Sequence, residues 1–497
     1  MTQFESFKAL QKKQQAYQYV LNVLGWDSST EAPKHAFPFR AEMQSIISQE
    51  AFSLMLSQEY QDVVNALFEG KDSLPSQDRQ EIERAYESLQ KMVNIPPAEY
   101  AAYQKLLALA QRTWEDAKHQ NNYGAFKDTL AEIIQTARKM ITYRNQDKVP
   151  YDVLLDDFEK GMNMEKYDAF FDALRKDLVP FVQEILNHRP EKPAFIDRHF
   201  PKAGQKEFVE YLNEVFDYDL DRGLLKESVH PFTWNTHPGD VRYTVRYLEN
   251  FMFSSIFAGI HELGHATYEM QVDDQLTSTN LKSGTSMGIH ESQSRFYENV
   301  VGRSKAFWDV HYPKLQSIFQ EQLKDVDVNT FYLGINWVEQ SFIRVEADEL
   351  TYPLHIMIRY ECERAIFNDG LSMEELPKLW NQKVKEYLNL DVENDADGLL
   401  QDVHWSGGAF GYFPTYALGS AYAAQIYYAM LKEFDLDQVI RQNDIKKVNA
   451  WLKEKIHQYG KTKTPDELIL EVTQEPFNVE YYIRYLKEKY GPLYLGA

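Results

Sequence analysis

One cysteine, Cys362, is all the thiol this chain carries. No internal disulfide can close, so packing alone must hold the fold, as suits a reducing compartment. Positive charge is also short: 53 Lys plus Arg stand against 75 Asp plus Glu, a formal net charge of -22. A surface of that sign repels a phosphate backbone, which argues against a nucleic-acid partner; its plainest effect is solubility. Long apolar runs are absent. The most apolar stretch, residues 251–260, contains two serines and is far too short to span a bilayer. The first residues, Met1 to Glu5, have neither the basic start nor the apolar core of a secretory signal. A cytoplasmic protein without membrane contact is the expectation.

Strand signals, repeats and Gly/Ser linkers are equally scarce. Apolar residues are not: 44% of the chain is hydrophobic and 14% aromatic, enough for a large core and incompatible with disorder. Helical periodicity dominates. It predicts helices over residues 7–24, 77–93, 97–118, 123–143, 164–186, 205–216, 247–270, 337–367, 372–388, 416–434 and 479–490. Only residues 240–245 alternate and branch like a strand, after a turn-like 235–239, with 230–233 as a short partner. The expectation is one mainly helical domain over residues 1–497, with one small sheet and room for a cleft between two lobes.

His261-Glu262-Leu263-Gly264-His265 fits H-E-x-x-H. On a helix, positions i and i+4 share a face, so both imidazoles can reach one ion. Glu262, beside the first ligand, is then placed to take a proton from a water that zinc has made acidic. The preceding ten residues are apolar nearly all round, which predicts a buried, rigid support. Catalytic zinc takes three protein ligands and a water. Glu269, Glu291 and Glu298 are all candidates for the third. Glu291 opens a predicted helix, 288–298, where a carboxylate is also favoured simply by the helix dipole.

Further blocks surround this motif: Trp26-Asp27 with Thr30 and Pro33, His230-Pro231-Phe232, Asp240 to Thr244, His290-Glu291-Ser292, Ile343 to Asp348, and Gly398 to Trp405. With them in this order, the whole chain resembles the thermostable Taq-type metallocarboxypeptidase family. The resemblance implies an almost all-α, neurolysin-like single domain with a deep substrate groove between two lobes. It implies removal of C-terminal residues from peptides with broad specificity, zinc (or cobalt) at the metal site, and a homodimer. It also implies that Glu291 is the third ligand. One departure is visible: Val245 stands where the family often has a second threonine.

An enzyme that trims C-termini must bind a free carboxylate, for which the planar fork of arginine is suited. Arg344 and Arg242 are the candidates; each has acidic neighbours that would equally make a structural ion pair. His230 and His404 are candidate hydrogen-bond donors to substrate, and Tyr416, after a glycine-rich loop, a candidate oxyanion stabiliser with Tyr412 and Tyr422 as competitors. Two other functions are compatible with the motif: a metallo-oligopeptidase or dipeptidase-type enzyme, and a non-catalytic zinc protein. Glu262 argues against the second, because a structural zinc site needs no base.

Overall fold

The computed structural model describes residues 2–144 and 147–496. Twenty-one α-helices and one three-stranded sheet make up the regular structure among these residues. Most predicted helices are present with shifted ends. Pro97 opens the helix Pro97–His119 as its first residue, where a missing N–H costs nothing. The periodicity at 164–186 becomes Met164–Asn187, capped by the Asn163 side chain on the Lys166 N–H.

The sheet comprises β1 (Gly223–Glu227), β2 (Thr233–His237) and β3 (Asp240–Val245). β3 is central, parallel to β1 and antiparallel to β2. Its alternating apolar residues Val241, Tyr243 and Val245 are buried, and Thr244 between the last two is buried as well. The partner strand lies further along than 230–233, sharing only Thr233 with it. β1 was not expected, because Leu224-Leu225-Lys226-Glu227 has no alternation of its own and takes its strand state from pairing with β3.

Two helical expectations need correction. Residues 337–351 are not helical apart from the single 3-10 turn Arg344–Glu346, and the helix there is Tyr352–Phe367. Asp348 explains the break: its Oδ1 accepts the Leu350 and Thr351 N–H groups at 2.9 and 3.0 Å, offering the backbone an alternative to the helix. Pro353 then sits in the first turn, the ordinary place for it. The helix predicted from 247 starts at Phe253. Before it, the chain turns at 249–250, where the Phe251 N–H bonds Leu248 O and Glu249 O accepts the Phe200 N–H. Several helices were missed, among them Phe37–Met55, which buries no residue and so shows no apolar stripe.

The large core runs from Ala110 to Tyr494 and includes the helix Phe253–Met270 on nearly every side. A second, smaller core joins Phe7, Leu10, Tyr60, Val64, Leu67, Ile82, Ala85 and Leu89 in the N-terminal helices. Polar ties link that unit to the rest: Lys8 to Ser278 O, Gln15 to Thr279 O, Arg84 to Lys461 O. Trp26, at the end of the helix Gln3–Thr30, packs against Phe232 and Trp234 beside the sheet. No described helix is long and apolar enough to cross a membrane.

Candidate metal centre

Two helices meet at the centre. Phe253–Met270 carries the H-E-x-x-H motif, and Met287–Arg295 carries Glu291. Gly264 makes the approach possible: a Cβ there would lie 2.7 Å from both Gln293 O and Ser294 Cα. On the far side, Gly419 of the helix Pro414–Leu431 meets Glu291 itself, whose Cγ would be 2.6 Å from an added Cβ. The glutamate is thus clamped between two backbones.

His261, His265 and Glu291 each offer one ligand atom within 4.8 Å of the others, the one such group among the described residues. Glu291 Oε2 lies 3.7 Å from His261 Nε2 and 3.6 Å from His265 Nε2. Ligand atoms around a tetrahedral zinc, at bonds of about 2.0–2.1 Å, stand about 3.3–3.4 Å apart, so a small inward settling completes the fit. Two imidazoles and one carboxylate are a known donor set for catalytic zinc. The charge states of His265 and Glu291 suit it. Burial pushes His265 down to about 3, leaving it neutral and ready to ligate. Burial works against the Glu291 carboxylate, but Arg295 and the two histidines outweigh it and hold its pKa far below the usual range. Burial likewise opposes a charged His261, yet Glu291 and Glu298 raise it overall.

The structure separates the three acidic candidates. Glu298 stands behind His261, its Oε2 2.9 Å from Nδ1 and outside the group formed by His261, His265 and Glu291. Glu269 is further back, reached from His265 through the ring of His290. Glu298 also leaves the expected helix geometry: Phe296–Gly302 is a π-helix. Arg295, which the sequence reading passed over, donates from Nε to Glu291 Oε1 at 2.7 Å and from NH1 to Glu298 Oε2 at 3.2 Å. With Oε1 taken by Arg295, Oε2 is the Glu291 oxygen that faces the two imidazoles. The i, i+4 spacing of Glu291 and Arg295 was the available signal.

Glu262 is buried, and burial raises its pKa, as a carboxylate that must accept a proton requires. The Thr233 hydroxyl of β2 lies 2.7 Å from its Oε2 and steadies it. Thr233 directly follows the His230-Pro231-Phe232 block but was not singled out, since nothing local distinguishes it.

The substrate-binding candidates fall into two groups. Arg344 is buried, its Nε and NH2 on Asp402 and its NH1 3.1 Å from the Tyr352 hydroxyl. It is in a 3-10 turn, not on the expected helix. Asp402 is shared with Arg359, whose Nε lies 2.7 Å away. Tyr416 lies 5.2 Å from the Arg344 guanidinium, on the helix whose Gly419, one turn further on, meets Glu291. Tyr352 joins the two regions, since Arg295 also lies over its ring at 4.6 Å. His404 is in the same cluster, its ring 6.3 Å from that of Tyr416; its Nδ1 is buried without a partner. Burial lowers its pKa to about 4. Tyr412 also lies here, 5.0 Å from Tyr416, whereas Tyr422 is fully buried on the side of Glu159, which accepts from Ser286 and Gly288. Arg242 belongs elsewhere. It pairs with Asp240 at 2.6 and 3.0 Å and lies between Trp26 and Trp234. His230 is exposed, in the segment that leads into β2.

The chain is similar to known proteins along nearly its whole length. The pattern of the carboxypeptidase Taq (M32) metallopeptidase family matches residues 6–490. Carboxypeptidase 1 of Bacillus subtilis (strain 168) is 43% identical over 494 residues, 99% of this chain and 98% of that protein. Thermostable carboxypeptidase 1 of Pyrococcus furiosus is 34% identical over 481 residues, 94% of each. The crystal structure of an M32 carboxypeptidase from Deinococcus radiodurans R1 superposes with a TM-score of 0.96 at 31% identity, over 100% of both chains.

Proposed function

The chain belongs to the carboxypeptidase Taq (M32) metallopeptidase family and is a metallocarboxypeptidase, a peptide hydrolase, and on that premise we propose that His261, His265 and Glu291 hold one zinc ion, with Glu262 as general base. The observation that carries this is the single Oε2 of Glu291 lying 3.6–3.7 Å from two imidazole Nε2 atoms. When bound, the ion supplies Lewis acidity, polarising a carbonyl and making a water more acidic; cobalt would serve the same donors.

Each residue then has a task. Glu262, held by Thr233, takes the water's proton and returns it to the leaving amine. Tyr416, kept protonated by burial, donates its hydroxyl to the developing oxyanion. Arg344 binds the terminal carboxylate of the peptide. Arg344 and Arg359 bear two positive charges against the single Asp402, which leaves the cluster receptive to one more carboxylate. His404 adds its unpartnered Nδ1 to the same end. Arg242 and His230 line the opposite, sheet side of the groove. Broad specificity is expected, because these contacts read backbone and chain end.

The 497 residues act as one domain of two lobes, the N-terminal helices being tied to the rest by the Lys8, Gln15 and Arg84 contacts. A homodimer and a cytoplasmic location complete the reading. Mass spectrometry of a mixed peptide pool treated with the zinc-loaded protein tests it: a ladder of single C-terminal losses is expected, and internal fragments or dipeptides refute it. Glu262→Gln should keep its zinc while losing roughly 10²–10⁴-fold in turnover.

A further inference from the structure

The two ligand histidines are oriented by different means. His261 Nδ1 meets a carboxylate directly, Glu298 Oε2 at 2.9 Å. His265 Nδ1 meets another imidazole, His290 Nδ1 at 2.6 Å, and His290 Nε2 meets Glu269 Oε1 at 2.8 Å. We infer that His290, backed by Glu269, is a positioning residue that holds His265 in the one tautomer able to ligate the metal.

The direction of the relay follows from its far end. Glu269 is fully buried and surrounded by donors: the Ser283 hydroxyl at 2.7 Å, the Gly284 N–H at 3.1 Å and the Asn235 side-chain amide at 2.7 Å. It therefore accepts from His290, which places the His290 proton on Nε2 and leaves a lone pair on Nδ1. That lone pair faces His265 and requires a proton on His265 Nδ1. His265 Nε2 is then bare and points at Glu291 Oε2, 3.6 Å away, across the metal position. Reversing the link would put the proton on His265 Nε2, where it blocks the ion.

The arrangement has a steric reason. Glu269 lies one turn beyond His265 on the same helix, and the His290 ring, from the facing helix, spans the gap between them. His290 also immediately precedes the ligand Glu291, so one helix supplies the third ligand and the orienting ring together. Glu269 is itself held in place by Asn235 of β2 and by the 283–284 loop, each through a donor that is not part of the relay.

This inference rests on the proposed ligand set, and the test separates the two. Zinc affinity is measured by competition with a chromophoric chelator for the wild type and for His265→Ala, His290→Leu, His290→Asn and Ser283→Ala. Apo thermal melting and the visible spectrum of the cobalt forms are recorded alongside. His290→Leu should bind zinc about 10–100-fold more weakly and change the cobalt spectrum, with its apo melting unchanged. His290→Asn, whose amide oxygen can accept from His265, should recover most of the loss. Ser283→Ala, which removes a donor to Glu269 outside the relay, should stay within about twofold. If His290→Leu binds zinc as tightly as the wild type, or if His290→Asn loses as much, the relay is refuted while the ligand set stands. If the wild type binds no zinc, or His265→Ala keeps it, the ligand set itself is wrong.

Discussion

Gly264 occupies a variable position of the H-E-x-x-H motif, yet replacing it with alanine should damage the metal centre without touching a ligand. The added methyl would meet Gln293 O and Ser294 Cα at 2.7 Å, and both are backbone atoms that cannot rotate aside. Comfortable contact needs about 3.5 Å, so the two helices must part locally by about 0.8 Å. These are the helices that carry His261 and His265 on one side and Glu291 on the other. The Oε2–Nε2 separations, now 3.6–3.7 Å, already exceed the spacing around a tetrahedral ion. Widening them by most of an ångström leaves one ligand out of reach, and zinc affinity should fall on the order of 10–100-fold. Fold stability should change much less. Ala gains about 1 kcal/mol over Gly in a helix interior, while overpacking costs about 1–3 kcal/mol, so the net loss is about 0–2 kcal/mol. Chelator competition measures the first quantity and urea unfolding of the metal-free protein the second. Wild-type zinc affinity in Gly264→Ala would show that the helices are not braced here and refute the argument.

Glu291→Ala should abolish tight zinc binding, whereas Glu298→Ala, which frees His261 to turn, should weaken it by about 10–100-fold; equal metal contents on dialysis would contradict the assignment. Arg344→Ala should lower kcat/KM for free-acid peptides by about 10²-fold and leave amidated peptides, already poor substrates, nearly unchanged. An unaltered ratio of acid to amide rates would remove Arg344 from the substrate site. Away from the metal, burial pushes Glu363 up to about 7 from an ordinary 4.5. It accepts from Trp405, Gly411 and Tyr151. The folded state holds this proton more tightly than the unfolded one. The stability it lends is therefore complete below pH 4.5 and lost as pH rises through about 7. Unfolding free energies of Glu363→Gln should fall less steeply across that window than those of the wild type; parallel slopes would disprove it.

Local chemistry determined more of this protein than its size suggests. The helical class was legible because apolar stripes repeat with the helical period wherever one face is buried. The pairing of His261 with His265, and the place of Glu262 beside them, needed only a helix. Asp240–Val245 was legible because a strand with alternating burial writes that alternation into its residues. Where burial is one-sided neither in the helical nor in the strand sense, the pattern vanishes. Phe37–Met55 buries nothing, β1 borrows its state from β3, and residues 337–351 trade helix for side-chain bonds to Asp348. The deeper limit concerns the acids. Glu269, Glu291 and Glu298 are each plausible third ligands by spacing along the chain. Which one meets the imidazoles depends on how two helices dock, and that is set by Gly264 and Gly419, distant from one another in sequence. The roles of His290 and Thr233 are decided the same way. Each acts on a ligand or base through a bond of 2.6–2.7 Å that exists only once separate segments are packed together. Periodicity describes one segment against an averaged interior, whereas a metal site is a distance between particular atoms of several segments, and only tertiary packing fixes that distance.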